Sequence, residues 1–182
     1  VVAAASALGP TPLFIQSDAA DVAALRAAVA QTSSQVGPIS VLVNNVANDQ
    51  RHEFEKVTPE DFDWRVNINL RPHFFAAQAV AQKMKKLGGG SIINLGSTSW
   101  KIKGKGYPVY ATCKSATVGL TRSLARELGA DNIRVNTLTP GWIMTDKQLD
   151  QWVDEAGERA MDENQCLPGR IVGSDVANLA LF

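Results

Sequence analysis

Three runs decide the fold: Ser91-Ile92-Ile93-Asn94-Leu95, then Pro108 through Leu128, then Ile133-Arg134-Val135-Asn136-Thr137-Leu138. Two short, largely apolar runs flank one long segment of helical spacing. That is a strand–helix–strand unit, and it implies parallel strands joined by a helical crossover. Gly129 closes the helix, and Gly88-Gly89-Gly90 separates Ser91 from what precedes it.

The alternation continues outward from this unit. Ile39 to Asn45 reads as a buried strand, apolar nearly throughout, as parallel strands covered on both faces are. Thr58-Pro59-Glu60-Asp61 starts a helix: Thr58 suits the cap, Pro59 the first position, and the acids the positive end. The helical pattern runs to about Lys86, through Pro72. Pro72 has no N–H for the Ile68 carbonyl, so a kink or break is expected there. Asp21 caps an earlier helix with Val22, Leu25, Ala28 and Val29 inward, and Leu13 to Gln16 reads as a short strand before it. Past Gly141 the pattern gives one helix around Asp150 to Ala160 and the start of another at Ser174. Alternating strands and helices without repeats or a linker imply one α/β domain.

Bulk properties exclude several functions. The 182 residues are enough for a core, and 45% hydrophobic with 20% charged residues is ordinary globular composition. Basic and acidic side chains balance at 18 each, so no surplus points to nucleic acid. Cys113 and Cys166 lack metal-ligand spacing and suit a reduced, cytoplasmic protein. No apolar run reaches the roughly 18 residues of a membrane helix. No metal site is expected.

Chemistry concentrates on the long helix. Tyr110 and Lys114 are one turn apart and share a face. An ammonium beside a phenol stabilises the phenolate. Lowering the phenol from about 10 to about 7 needs roughly 4 kcal/mol, which Lys⁺ and an oxidised nicotinamide ring together can supply, giving a general base near neutral pH. An isolated Tyr-x-x-x-Lys is more often a surface pair. Ser97, however, follows a strand at the carboxyl end where open parallel sheets place ligands, and its hydroxyl can hold a reacting oxygen. A hydrolase reading lacks a Gly-x-Ser-x-Gly elbow. The histidines are His52 and His73, and His73 reads as structural.

Several motifs add up in order and spacing: Asn44-Asn45-Val46-Ala47 after a strand, Asn69 in Val66-Asn67-Ile68-Asn69-Leu70, Ser97 before Tyr110, Lys114, and Pro140-Gly141-Trp142-Ile143-Met144-Thr145. Together they resemble the short-chain dehydrogenase/reductase family over essentially the whole chain. The resemblance implies a Rossmann-type doubly wound parallel sheet in one domain over residues 1–182, a nicotinamide cofactor, and an Asn69–Ser97–Tyr110–Lys114 tetrad. It makes Tyr110 the acid/base and gives Ser97 the substrate oxygen. It puts Lys114 on the nicotinamide ribose and Asn69 on a water in a proton relay. Cofactor contacts carry over to Asp18 and Ala19 near the adenine, Asn44 and Val46 at the ribose and ring, and Pro140, Gly141, Ile143 and Thr145 at the carboxamide. Asp18 is alternatively a helix cap, a role that Asp21 fills better. The sequence departs from the family at Val46-Ala47, where Ala-Gly is common, and at Pro72, where Gly is usual.

The family's Gly-rich pyrophosphate turn is not in this sequence. In family terms the first two strands, the residue separating NAD from NADP and the last strand are expected outside it, within a protein of roughly 250 residues. Without strands 1 and 2, the third and fourth strands would stand about 14 Å apart, three spacings of about 4.8 Å. The cofactor implied is NAD or NADP, with NAD favoured.

Asn48-Asp49-Gln50-Arg51-His52 follows a strand, and Trp100 and Trp142 lie in neighbouring loops. Polar groups beside indole faces suit a polyol; the alternative is a solvated loop with two rim tryptophans. Asn48-Asp49-Gln50-Arg51-His52, Asn69-Leu70-Arg71, Ser99-Trp100 and Gln165 to Val172 resemble the D-xylose 1-dehydrogenases of the family. Those oxidise an aldose at C1 to the lactone. Asn48, Trp100, Trp142 and Ser97 are then the expected substrate contacts. The competing readings are an NADPH-dependent 3-oxoacyl-type carbonyl reductase and a non-catalytic nucleotide-binding module. The family likeness also implies a homotetramer packed through the helices starting near Pro59 and Pro108.

Overall fold

The computed structural model describes residues 11–182. Three parallel strands, β1 (Val41–Asn44), β2 (Gly90–Leu95) and β3 (Ile133–Leu138), lie in the order β1-β2-β3. The register pairs Leu42 with Ile92 and Ile92 with Val135. Among the described residues the helices are α1 (Val22–Gln35), α2 (Pro59–Asn69), α3 (Arg71–Leu87), α4 (Pro108–Leu128), α5 (Asp146–Gln151), α6 (Glu155–Asn164) and α7 (Gly173–Leu181). The architecture is the expected Rossmann-type α/β fold, with helical crossovers between parallel strands.

Local signals set the boundaries. The Asp21 carboxylate accepts from Ala23 and Ala24 N–H and starts α1. The Thr58 hydroxyl accepts from Asp61 N–H, with Pro59 in the first turn of α2. The break predicted around Pro72 falls at Leu70 (φ −129°), which separates α2 from α3. Gly88 ends α3 in the left-handed conformation (φ +81°), the geometry a residue without Cβ adopts freely.

α3 and α4 lie against one face of the sheet, and α1 packs on α3. Ala77, Val80, Ala81 and Met84 of α3 meet Ile92, Ile133 and Val135 of the strands and Leu128 of α4 to form the core. Side chains alternate across a strand, so Val41 and Val43 face the other way, and they are 55% and 47% exposed. The expectation that this strand is covered on both faces is therefore corrected: the described helices α1, α3 and α4 cover the Leu42 face.

Two other expectations are corrected. Leu13–Gln16 forms no strand among the described residues; a ladder needs an adjacent strand, and β1 pairs only with β2. As expected, Gly129 closes α4, with right-handed geometry (φ −63°). It continues into a 3₁₀ turn, Gly129–Asp131, and Asn132 (φ +58°) makes the reversal. The helix expected around Asp150–Ala160 is two helices. Asp154 interrupts the pattern by accepting from Gly157 N–H at 2.7 Å, which starts α6 afresh. Among the described residues no helix is long and apolar enough to cross a membrane.

Candidate active site

The carboxyl ends of the strands converge on one region. The ladder continues past β2: Gly96 N–H donates to Leu138 O at 2.8 Å, and Thr98 N–H to Pro140 O at 3.1 Å. A Cβ on Gly96 would lie 2.8 Å from Thr137 Cγ2 and 3.0 Å from Thr139 Oγ1, so only glycine permits this approach. It places Ser97 beside the Pro140–Gly141 turn. Ser97 Oγ accepts from Ser99 N–H and caps the short turn Thr98–Trp100.

α4 supplies Tyr110 and Lys114. The Lys114 ammonium is 5.7 Å from the Tyr110 ring centroid and donates to Leu95 O at 2.6 Å. Lys114 is 1% exposed, and burial pulls its pKa down to about 8 against the favourable charges of Cys113 and Asp49. Tyr110 lies above the ordinary phenol range. Burial is the main cause, a hydrogen bond from Ser97 and the charge of Arg51 oppose it, and Asp49 and Tyr107 add to it. The protein's own groups thus raise the phenol. The lowering expected from the sequence needs the positive ring of an oxidised nicotinamide beside Lys114; without it, desolvation of the phenolate dominates.

Asn69 is fully buried, and both ends of its carboxamide are bonded. Oδ1 accepts from Asn48 N–H at 2.8 Å and Nδ2 donates to Arg65 O at 2.9 Å. The side chain therefore anchors the loop after β1. The break at Leu70 redirects the ladder, because His73 N–H bonds Leu70 O, leaving the Asn69 carbonyl outside the regular i→i−4 pattern. Asn44 is committed as well, through Nδ2 to Asn94 Oδ1 at 2.8 Å and to His73 O at 3.3 Å. Asn94 passes the chain on to Thr121. This network ties β1, β2, α3 and α4 together.

The other expected contacts divide. Val46 is 49% exposed at the carboxyl end of β1. Ile143 pairs with Ile171, Met144 N–H donates to Ile171 O, and Thr145 caps α5. Asp18 is exposed and accepts from Ala20 N–H in a local turn, with Ala19 between; no hydrogen bond links this turn to Tyr110. The Asn48 side chain closes its own loop by accepting from Gln50 N–H. Trp100 lies at the rim, with the Lys101 ammonium 5.2 Å from its ring. Trp142 donates from Nε1 to Gln148 Oε1 at 2.7 Å. A Cβ at Gly157 would meet its ring at 3.1 Å, so Trp142 packs directly on α6.

Sequence reasoning passed over Asp49, Arg51 and Gln148 as individual site residues. Asp49 receives Lys147 Nζ at 2.6 Å and Gln148 Nε2 at 2.7 Å. The Arg51 guanidinium lies 4.2 Å from the Tyr107 ring centroid and 5.0 Å from that of Trp152. Their positions in the Asn48–His52 run marked the loop, but their partners sit far along the chain and leave no local signal. Among the described residues no cluster of His, Cys, Asp or Glu is arranged for a metal ion.

Comparison with known proteins places this geometry among relatives. The family model described as enoyl-(acyl carrier protein) reductase matches residues 1–182. The probable galactose dehydrogenase GalD of Rhizobium meliloti is 43% identical over 178 residues, covering 98% of this chain and 70% of that protein. The D-xylose 1-dehydrogenase of Caulobacter vibrioides is 44% identical over 171 residues, covering 94% of this chain and 67% of that protein. The solved structure of a 7α-hydroxysteroid dehydrogenase with NADH and 7-oxo glycochenodeoxycholic acid superimposes with a TM-score of 0.93 at 31% identity, covering 100% of this chain and 70% of that one.

Proposed function

The chain belongs to the short-chain dehydrogenase/reductase family, and on that premise we propose that its Ser97–Tyr110–Lys114 site oxidises an aldose at C1 to the lactone with NAD or NADP. The observation that carries the chemistry is the buried Lys114 ammonium one helical turn from Tyr110. The sugar assignment is supported by the names of the two sugar-dehydrogenase relatives and by the polar loop Asn48–His52 beside the site.

The residues present fit a nicotinamide cofactor. Lys114 uses one ammonium proton on Leu95 O, and two donors remain for the paired hydroxyls of a ribose. Val46 offers half-exposed apolar surface at the carboxyl end of β1, where open parallel sheets bind nucleotides. When bound, the oxidised cofactor supplies the hydride acceptor and a positive charge that favours the phenolate.

Tyr110 takes the proton of the C1 hydroxyl as the C–H bond gives up its hydride, leaving the lactone carbonyl. Ser97 donates to the developing oxygen and holds it in line. Lys114 orients the ribose and, through it, the reacting face. The Asn69 carbonyl, released from the helix ladder, is the natural acceptor for the next member of a proton relay.

Assembly is part of the same reading. Phe62 and Trp64 of α2 and Phe74 of α3 are each 45% exposed, and an open apolar recess lies between Leu70, Phe74, Ala116 and Leu120. Such a patch supports a homotetramer packed through α2, α3 and α4. Light scattering of the native protein tests it.

The test of function is an absorbance assay of cofactor reduction with NAD and NADP against a panel of aldoses. Turnover of an aldose that Tyr110→Phe abolishes supports the proposal. Turnover of 3-oxoacyl substrates with NADPH and of no aldose replaces it with the reductase reading.

A further inference from the structure

α5 is held in place by few of the usual forces. It has six residues and none of them is buried. A helix of that length is unstable alone and normally depends on an apolar face. Its placement here depends on polar contacts. The two oxygens of Asp49 accept from consecutive residues of α5, Oδ1 from Lys147 at 2.6 Å and Oδ2 from Gln148 at 2.7 Å. Gln148 in turn accepts from Trp142 Nε1 at 2.7 Å. On the other side, Asp49 follows Asn48, whose N–H is fixed by the buried Asn69 carboxamide. Burial pulls the Asp49 carboxyl upward, yet the bonds and charge from Lys147 and Gln148 hold it below the ordinary range, so it is ionised in this arrangement.

We propose that Asp49 is a clasp that fixes α5 and Trp142 over the substrate side of Tyr110, a positioning residue for substrate binding. The proposal rests on the dehydrogenase reading for its link to turnover. The clasp joins segments 98 residues apart in the chain across the mouth of the site. Arg51, two residues on, is stacked between Tyr107 and Trp152, the residue that follows α5, and ties the same two segments at a second point. The loop after β1 is anchored independently, by Asn48 N–H on the Asn69 carboxamide. Losing the clasp therefore frees α5 rather than the loop.

The test uses the native enzyme and has two independent readouts. Limited trypsin digestion, mapped by mass spectrometry, follows cleavage after Lys147. In Asp49→Asn this bond is expected to be cut about tenfold faster, because local opening exposes it. Steady-state kinetics give the second readout: KM for the substrate rises about tenfold while kcat changes less than about threefold, the pattern of lost binding rather than lost chemistry. Lys147→Met, which breaks the clasp from the solvent side, shifts KM in the same direction. The reversed pair Asp49→Lys with Lys147→Asp recovers most of the KM lost in Asp49→Lys alone. Unchanged cleavage in Asp49→Asn, or a reversed pair no better than Asp49→Lys, overturns the clasp. The digestion needs no activity, so faster cleavage in an enzyme that oxidises no aldose retains the clasp and rejects the sugar assignment.

Discussion

The Lys114 ammonium sits 5.7 Å from the Tyr110 ring centroid while donating to Leu95 O, almost fully removed from water. The arrangement costs stability. Its pKa is held at about 8 from an ordinary 10.5, chiefly by burial. The unfolded chain therefore keeps its proton more tightly, and stability rises with pH between about 8 and 10.5. At neutral pH the charge costs about 3 kcal/mol. Lys114→Met removes that cost but leaves Leu95 O without a donor, which returns about 1–2 kcal/mol. The expected outcome is a variant about 1–2 kcal/mol more stable at pH 7 in urea unfolding, with kcat/KM reduced at least about a hundredfold. A variant less stable than the parent contradicts this account.

The charges around Tyr110 give a prediction of sign. Burial, the Asp49 charge and Tyr107 raise the phenol, while Ser97 and Arg51 oppose them. Oxidation requires the phenolate, so kcat/KM climbs with pH through an alkaline limb. Asp49→Asn removes a negative charge and moves that limb to lower pH. Arg51→Met removes a positive one and moves it to higher pH. The position of the limb, not its height, is the readout, and shifts of the same sign in both variants contradict the argument.

Asn69 holds both a helix carbonyl and a loop amide. Asn69→Ala leaves the part-buried Asn48 N–H without its partner, at about 1–3 kcal/mol, while Arg65 O keeps its bond within α2. Thermal unfolding checks the loss. Hydrogen exchange at residues 47–50 is expected to rise selectively, because the anchor of that loop is gone.

Much of this was legible because its causes are local. Pro108, the apolar spacing behind it and the Ile133–Leu138 run set α4 and β3 at the boundaries read from sequence, and Pro72 located the break between α2 and α3. The site residues on those elements followed from spacing. What failed had remote causes. Leu13–Gln16 has strand composition, but a ladder is made by a neighbour. No local signal announced that the Asn44 amide meets Asn94, fifty residues away. The Asp49 clasp depends on partners 98 and 99 residues away. Asp150–Ala160 carries one helical pattern, and only the capping bond of Asp154 to Gly157 N–H reveals a second start.

His73 gives a prediction that needs no catalysis. It is 1% exposed beside the site, and neither ring nitrogen has a hydrogen-bond partner. Its pKa is lowered to about 4 from 6.5, first by burial and then by the Lys114 charge. The native state therefore keeps the ring neutral, while the unfolded chain binds a proton once pH falls below about 6.5. The stability tied to this difference is fully present above 6.5 and is lost as pH falls towards 4. Between pH 7 and 4.5 the loss from this residue alone is about 2 kcal/mol. Carboxylates titrate in the same range, so the comparison must be with His73→Leu, which keeps the volume and removes the proton site. The unfolding free energy from urea titration is expected to fall by about 2 kcal/mol more between pH 7 and 4.5 in the parent than in the variant. Equal falls in both would mean that His73 is protonated without penalty in the folded protein, and that the cavity around it admits water.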